Sequence, residues 1–256
     1  MIRVQGLKKR YGKFEAVHGI DLHVRPGEVF GFLGPNGAGK TTTLKMIAGL
    51  LKPTEGSVVV ADIDTAIDPV GAKRVIGYIP DRPYLYEKLT AREFLSFIGG
   101  IYGVDDSDIA SRSVELLDTF GLTRFTDELV EGFSHGMKQR LTLCAALLHH
   151  PRLLVVDEPM VGLDPAGARL IKEVFRGMAD DGRTVFLSTH TLDVAEAICD
   201  RVAIIVQGRI VTLGTVQELK ELHTAGGGRL EDVFLELVGQ PEDREVLAIL
   251  RGSGDA

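Results

Sequence analysis

A glycine-rich loop between an apolar segment and a helical one constrains this chain more than any other feature. Residues 34–41 read GPNGAGKT and match the phosphate-binding pattern GxxxxGK[ST]. The apolar run 28–33 predicts a buried strand, and residues 41–51 predict a helix that Pro53 stops. Glycines let such a loop wrap tightly, so that its N–H groups and the positive helix end point at phosphate oxygens. The loop therefore predicts a nucleotide site rather than a chance turn.

The polar side chains of the loop agree with this prediction. Lys40 offers a positive charge to the β- and γ-phosphates, and Thr41 offers a hydroxyl to Mg²⁺. The residues predicted to bind nucleotide in this segment are Gly34, Pro35, Asn36, Gly37, Ala38, Gly39, Lys40, Thr41 and Thr42.

A second motif places two acids at the end of an apolar strand. Residues 153–158 read LLVVDE. The carboxyl ends of parallel strands form the crevice in which such sheets bind ligands. We therefore expect Asp157 to hold Mg²⁺ through water and Glu158 to polarise an attacking water. The alternative, a solvated acidic turn, loses weight because the phosphate loop lies upstream.

Composition limits the class of protein. The chain has 256 residues, 45% of them hydrophobic, and a formal net charge of −7. This supports a sizeable core, excludes disorder over most of the length, and gives no reason to expect nucleic-acid binding. Cys144 and Cys199 lie in no metal-binding pattern and are predicted to be free thiols. Neither a signal-peptide core nor a run of about 18 apolar residues is found.

Strands and helices alternate in the first and last thirds of the chain. This pattern favours an α/β fold with mainly parallel strands. Residues 84–150 lack strand patterns and are predicted to be a helical insert. The apolar residues at helical spacing there are Phe94, Phe97 and Ile101, then Val114 and Leu117, then Leu141, Ala145 and Leu148.

We predict a single domain over residues 1–240. After the glycines 226–228, which predict a flexible break, the segment Leu230–Val238 predicts an amphipathic helix. The predicted parts are a core of residues 1–83 and 151–225, a helical subdomain of 84–150, a carboxyl-terminal helix within 226–240 and a flexible tail of 241–256.

Further motifs extend the comparison from nucleotide binding in general to one family. The segment 133–140, FSHGMKQR, resembles the LSGGQ signature of ATP-binding-cassette (ABC) ATPases. Residues 162–165, GLDP, resemble their D-loop, and 188–190, STH, resemble their switch-histidine segment. Tyr11 is similar to the aromatic residue that stacks on adenine, with Val17 beside it; the alternative for Tyr11 is a surface turn residue. The resemblance covers about residues 2–213, with the motifs in the order of the family.

The resemblance implies a P-loop NTPase core with a mainly parallel sheet, an amino-terminal antiparallel β region and a helical subdomain. It also implies a composite site, in which two subunits pack head to tail. Ser134, His135 and Gly136 would contact the ATP of the partner subunit, and Asp164 would belong to the D-loop. His190 would bond the γ-phosphate as a catalytic residue together with Glu158, the alternative being an inert histidine. Ser134 also fits a helix N-cap, which is compatible with the phosphate role.

The sequence departs from the family pattern at two places. Asp81 stands where the family has the glutamine of the Q-loop, and we expect it to be a third Mg²⁺ ligand with Thr41 and Asp157. In the signature, Phe133, His135 and Met137 replace Leu, Gly and Gln. Neither change removes a group that hydrolysis needs.

The implied function is that of an ATP-hydrolysing, Mg²⁺-dependent transporter subunit. Residues 230–237 resemble the ending of ATPase subunits of drug, ion and lipid exporters. Such a subunit is cytoplasmic, peripheral on the inner face of the cell membrane, and drives a separate membrane-spanning subunit through ATP-dependent closure of a dimer. The segment 81–87 is predicted to dock on that subunit through Tyr84, Leu85 and Tyr86, or else to pack within the insert.

Two alternative functions follow from the same motifs. A soluble ABC protein acting on ribosomes or DNA usually has two cassettes or long coiled coils. This chain has one phosphate loop, no repeat and no sustained heptads. A nucleotide-gated module without turnover is disfavoured because both Glu158 and His190 are present.

Overall fold

A computed structural model describes residues 1–223 and 229–238 of the chain. The predicted break at 226–228 and the predicted tail at 241–256 lie outside these residues. The strands are β1 (Ile2–Tyr11), β2 (Phe14–Val24), β3 (Val29–Leu33), β4 (Glu55–Val60), β5 (Ile63–Asp64), β6 (Ile76–Ile79), β7 (Leu153–Asp157), β8 (Thr184–Thr189), β9 (Arg201–Val206) and β10 (Arg209–Thr215). The helices are α1 (Lys40–Ile47), α2 (Pro69–Arg74), α3 (Ala91–Tyr102), α4 (Asp106–Thr119), α5 (His135–Leu147), α6 (Pro165–Asp180), α7 (Leu192–Ile198), α8 (Val216–His223) and α9 (Leu230–Val238).

Two sheets organise the core, as the sequence predicts. The first is antiparallel, with the order β2-β1-β4-β5. The second has the order β10-β9-β3-β8-β7-β6 and is parallel except for the pair of β9 and β10. Strands β3, β7 and β8 are buried along their whole length because they lie inside this second sheet. Their carboxyl ends therefore meet at one edge.

Helix α1 is shorter than predicted. It ends at Ile47, and Gly49 adopts φ +66°, so the N–H groups of Leu50 and Leu51 return to the carbonyl of Lys45. A left-handed glycine ends a helix in this way without steric cost. Gly49, and not Pro53, is therefore the stop signal.

The segment between β6 and β7 contains α3, α4 and α5. Of the apolar residues at helical spacing, Phe94, Leu117, Leu141, Ala145 and Leu148 are buried. Phe97, Ile101 and Val114 are instead 43%, 64% and 58% exposed.

The reason for this difference lies in how α3 meets α4. Helix α3 turns Gly99 toward Ile109, where a β-carbon on the glycine would lie 2.5 Å from Ile109 Cδ1. The close approach selects Phe94 and Leu95 as the buried stripe of α3. Apolar spacing alone did not distinguish this stripe from the exposed one.

The carboxyl-terminal helix has the predicted bounds and packs on α7. Leu230 and Val233 of α9 are buried, and Leu230 N donates to Glu196 Oε2 of α7 at 3.4 Å. Cys144 and Cys199 are free and buried, as expected. In the part of the chain that the structure describes, no helix is both long and apolar enough to cross a membrane.

His149 joins the end of the helical segment to the sheet. Its ring stacks on Tyr102 of α3, with centroids 3.7 Å apart, and its Nε2 lies 3.1 Å from the carbonyl oxygen of Ile76 in β6. Burial lowers the pKa of His149 to about 4. His149 therefore has a structural position between α3 and the sheet.

This burial predicts a pH-dependent contribution to stability. Because the folded-state pKa lies below the unfolded value of about 6.5, the contribution is complete above that pH and is lost as the pH falls toward 4. When the pH falls from 7 to 4.5, we expect the unfolding free energy of wild type to decrease by about 2 kcal/mol more than that of His149→Gln. Urea unfolding at both pH values measures this, with His23→Gln on the exposed face of β2 as the control. An equal pH dependence in wild type and His149→Gln would contradict it.

Candidate active site

A cavity of about 380 Å³ opens where β3, β6 and β7 end. It brings together residues from the first hairpin, the glycine-rich loop, the segment after β6 and the end of β7. Its lining residues are Tyr11, Phe14, Ala16, Asn36, Gly37, Gly39, Lys40, Thr41, Thr42, Asp81, Asp157 and Glu158.

The loop needs its glycines because other backbone lies against it. Gly39 precedes α1 with φ +103°, and a β-carbon there would lie 2.6 Å from the carbonyl oxygen of Ala16. A β-carbon on Gly34 would lie 2.3 Å from the carbonyl oxygen of Ile205 in β9. The helix therefore begins directly at the cavity, where its free N–H groups favour an anion.

Lys40 holds a largely buried ammonium group at the cavity. Its Nζ donates to the carbonyl oxygens of Gly34 at 2.7 Å and Pro35 at 3.2 Å, and lies 3.9 Å from Glu158 Oε1. Burial lowers the pKa of Lys40, while the carboxylates of Glu158 and Asp157 act in the opposite direction. The side chain is 7% exposed, so the charge has lost most of its contact with water, and an anionic ligand would stabilise it.

Asp157 presents one free carboxylate oxygen. Ser188 Oγ donates to its Oδ1 at 2.5 Å, whereas its Oδ2 is buried and has no hydrogen-bond partner among the described residues. A buried unpaired oxygen, with the Thr41 hydroxyl on the same cavity wall, is a hard-oxygen set that fits Mg²⁺. The predicted ligands Thr41, Asp81 and Asp157 thus line one cavity.

Among the described residues, the acids of the cavity do not by themselves form a metal-binding cluster. In the described residues, no group of three His, Cys, Asp or Glu side chains is close enough to hold a metal. Asp81, Asp157 and Glu158 share the cavity without forming such a cluster. An ion here would therefore depend on oxygens from a bound phosphate chain as well.

Glu158 and His190 form a pair across the sheet edge. Glu158 has φ +52°, a strained value for a residue with a side chain, and its N–H donates to the Ser188 carbonyl at 3.1 Å. Its Oε1 lies 2.9 Å from His190 Nδ1. The two predicted catalytic residues are thus adjacent, and the histidine can orient the carboxylate.

The first hairpin supplies an aromatic wall that the sequence prediction only partly included. Tyr11 lines the cavity, and Lys9 Nζ lies 5.3 Å from the centre of its ring. Phe14, its cross-strand neighbour, also lines the cavity and is 65% exposed. Ala16 takes the place expected for Val17, which is fully buried because its side chain points into the core beneath the loop. The alternation of side chains along the strands of the hairpin around Gly12 could have indicated from the sequence that Phe14 lies beside Tyr11.

The predicted signature residues lie outside this cavity. Ser134 is the N-cap of α5, and its Oγ accepts a hydrogen bond from Met137 N at 3.3 Å, so the N-cap prediction is confirmed. Asp164 caps α6 and accepts from Gly167 N at 2.8 Å. His135, like Ser134, is exposed, and none of the three lines the cavity of its own chain.

A second cavity of about 440 Å³ adjoins the first through Asp81. Tyr84, Leu85, Phe94 and Ile98 line it, and Tyr84 is 81% exposed. We call this surface the Asp81 groove. The segment 84–86 was predicted either to dock on a membrane subunit or to pack within the helical insert. The exposure of Tyr84 agrees with docking, whereas Leu85 packs against the core.

Comparison with known proteins agrees with the geometry. The model of the ABC transporter family matches residues 17–161. The chain is 41% identical over 86% of its length, and 70% of the relative, to a linearmycin resistance ATP-binding protein of Bacillus subtilis (strain 168). It is 39% identical over 98% of its length, and 86% of the relative, to a fluoroquinolones export ATP-binding protein of Mycobacterium tuberculosis (strain CDC 1551 / Oshkosh).

Solved structures show the same relationship. An ATP-binding subunit of an ABC transporter superposes with a TM-score of 0.88 at 33% identity, covering 93% of this chain and 99% of the other. A dimeric ATP-binding cassette in a post-hydrolysis state with ADP and Pi has a TM-score of 0.77 at 27% identity, covering 84% and 98%.

The burial of Lys40 predicts a specific loss of nucleotide binding. Lys40→Ala removes the buried charge, and charge-assisted bonds to phosphate are roughly twice as strong as neutral ones. We expect the dissociation constant for ATP to rise by at least about tenfold and hydrolysis to become undetectable. Titration with a fluorescent ATP analogue measures binding, and Lys45→Ala, on the exposed face of the same helix, is the matched control. Wild-type affinity in Lys40→Ala would exclude this loop as the phosphate site.

Proposed function

The chain belongs to the ABC transporter family, and on this premise we propose that it is the ATP-hydrolysing subunit of an exporter. One observation carries the proposal: Lys40, Thr41, Asp157 and Glu158 line a single cavity beside the first turn of α1. A triphosphate placed there meets a positive charge, free N–H groups and two carboxylates. This combination suits phosphoryl transfer to water.

Each group at the cavity has a separate role in the proposed hydrolysis. The loop N–H groups bind phosphate oxygens, and the ammonium of Lys40 exchanges the carbonyls of Gly34 and Pro35 for the phosphates. Glu158 accepts the proton of the attacking water, and His190 holds its carboxylate in place. Thr41, Asp157 and Asp81 would hold Mg²⁺, which when bound neutralises charge on the phosphates.

The adenine would rest on the aromatic wall of the first hairpin. Tyr11 and Phe14 both line the cavity, and both are exposed. Stacking on exposed rings, with Lys9 beside Tyr11, gives affinity for a base without strict hydrogen-bond selection.

The active unit would be a head-to-tail dimer. The signature residues Ser134, His135 and Gly136, and Asp164 of the D-loop, do not line the cavity of their own chain. A second subunit is therefore the source from which a signature motif can reach the ATP. The similarity to a dimeric cassette supports this arrangement.

ATP hydrolysis by the dimer would drive export through a separate membrane-spanning subunit. Relatives at about 40% identity are named for drug resistance and export, which favours transport over action on ribosomes or DNA. The Asp81 groove connects the nucleotide cavity with an apolar surface, so it suits docking of that subunit. The protein would then work on the inner face of the cell membrane.

Replacing the proposed general base tests the mechanism. Glu158→Gln keeps the size of the side chain but cannot accept the proton, so hydrolysis should fall by about 100-fold or more while ATP binding persists. The dimer should then accumulate with Mg²⁺ and ATP, as measured by size-exclusion chromatography with light scattering. Glu173→Gln, on the exposed face of α6, is the control. Full turnover, or a variant that stays monomeric with ATP, would contradict the base role and the dimer respectively.

The charge of Asp81 gives a second test. Because an ionised carboxylate repels a triphosphate unless a cation is present, Asp81→Gln should strengthen ATP binding in chelator while keeping turnover within about tenfold of wild type. Asp81→Lys should inactivate the protein, and Asp106→Lys on α4 controls for charge reversal. Nucleotide titration with Mg²⁺ and with chelator gives both answers. Unchanged metal dependence in Asp81→Gln and normal hydrolysis in Asp81→Lys would place Asp81 outside the site.

A further inference from the structure

The signature motif and the D-loop of the same chain touch each other through one side chain. Gly162 has φ +78°, and a β-carbon built on it would lie 2.5 Å from His135 Cδ2 and 2.7 Å from His135 Nε2. Real β-carbons do not approach other atoms so closely. The imidazole therefore lies directly against the backbone of Gly162 and fills the space that a side chain there would need.

The backbone that this ring contacts is held by weak hydrogen bonds and by packing of Met160 and Leu163 against the core. Between Glu158 and Asp164, the hydrogen bonds from Val161 N to Glu158 O and from Leu163 N to Met160 O are both 3.4 Å long. Val161 and Gly162 are exposed. Bonds of this length are weak, so side-chain packing has a large share in fixing the path of this segment.

The same segment begins at the proposed general base. Glu158 already has a strained backbone, with φ +52°, and Gly162 follows it by only four residues. A shift of the D-loop is therefore passed to the carboxylate of Glu158 through a short stretch of chain. Displacements of about 1 Å can cost about 100-fold in rate.

We propose that His135 is a positioning residue that clamps the D-loop at Gly162 and thereby fixes Glu158. The proposal rests on the proposed function, because it assigns the clamp a role in ATP hydrolysis. It differs from the expectation that His135 contacts the partner's ATP, since the clamp needs the bulk of the ring and not its nitrogens. Glycine, the usual residue at this place in the signature, would leave Gly162 without this contact.

The clamp also gives a route between the two nucleotide sites of the proposed dimer. Ser134 and Gly136 flank His135 at the start of α5, where they would meet the partner's ATP. Movement of this helix start displaces the ring, and the ring displaces Gly162. Occupancy of one site would thus alter the position of Glu158 in the other.

A double-variant cycle tests the contact itself. Gly162→Ala should lower kcat by about tenfold, as His135→Ala does, because its β-carbon displaces the exposed ring and so removes the contact, while KM changes by less than about twofold. In His135→Ala/Gly162→Ala the collision is absent, so the double variant should be no more than about threefold slower than His135→Ala alone. If the two effects multiply instead, the ring does not meet residue 162 and the proposal fails.

Gly182 supplies the matched control for backbone strain. It has φ +81°, nearly the same as Gly162, but a β-carbon there would have nothing within 4 Å. Gly182→Ala therefore carries the strain without the collision, and its kcat should stay within about twofold of wild type. A loss equal to that of Gly162→Ala would assign the effect to strain and overturn the clamp. Melting temperatures of all variants establish that they are folded.

Two substitutions at position 135 separate bulk from chemistry. His135→Ala should lower kcat by about tenfold with KM unchanged, whereas His135→Leu, which keeps an atom near Cδ2 and has no ring nitrogen, should be at least about threefold faster than His135→Ala. If Leu is as slow as Ala, or if Ala is as fast as wild type, the proposal is overturned. Absence of hydrolysis in the wild-type protein would instead refute the proposed function, so the two failures are distinguishable.

Discussion

The buried ammonium group of Lys40 is the interaction on which the rest of the site depends. Removing such a charge from water costs several kcal/mol unless polar groups surround it. Here the loop carbonyls of Gly34 and Pro35, with Glu158 nearby, supply that surrounding. These groups converge only because the glycines let the loop press against Ala16 and Ile205. A phosphate chain placed at the loop can replace these carbonyls as the partner of the ammonium group.

The acidic side of the site depends on the order of strands in the parallel sheet. Strands β3, β8 and β7 are neighbours, so the loop after β3 lies near Ser188, Asp157 and Glu158 although roughly 120 to 150 residues separate them along the chain. The hydrogen bond of Ser188 to Asp157 and the contact of His190 with Glu158 tie the two strand ends together. One carboxylate oxygen of Asp157 has no hydrogen-bond partner among the described residues. The sheet thus brings the acidic side chains next to the loop that carries Lys40.

The other half of the proposed machinery faces away from this cavity. Ser134, His135 and Asp164 lie at helix starts that do not line it, and the Asp81 groove adjoins it on another side. A single chain therefore presents the candidate phosphate cavity, the signature segment and the Asp81 groove at separate places. Asp81 connects the cavity with the groove, and the contact of His135 with Gly162 connects the signature segment with the D-loop.

The sequence by itself determined the elements whose signals are local. The GPNGAGKT loop, the LLVVDE strand end and α9 follow from residue types at fixed spacing, because turn geometry and short-range charge depend on neighbours in the chain. Only the tertiary structure decided which apolar stripe of α3 is buried, that Ala16 and Phe14 rather than Val17 line the cavity, and that His135 rests on Gly162. Each of these depends on how closely two distant backbones approach. That distance is set by packing of the whole core, and no local pattern of residues encodes it.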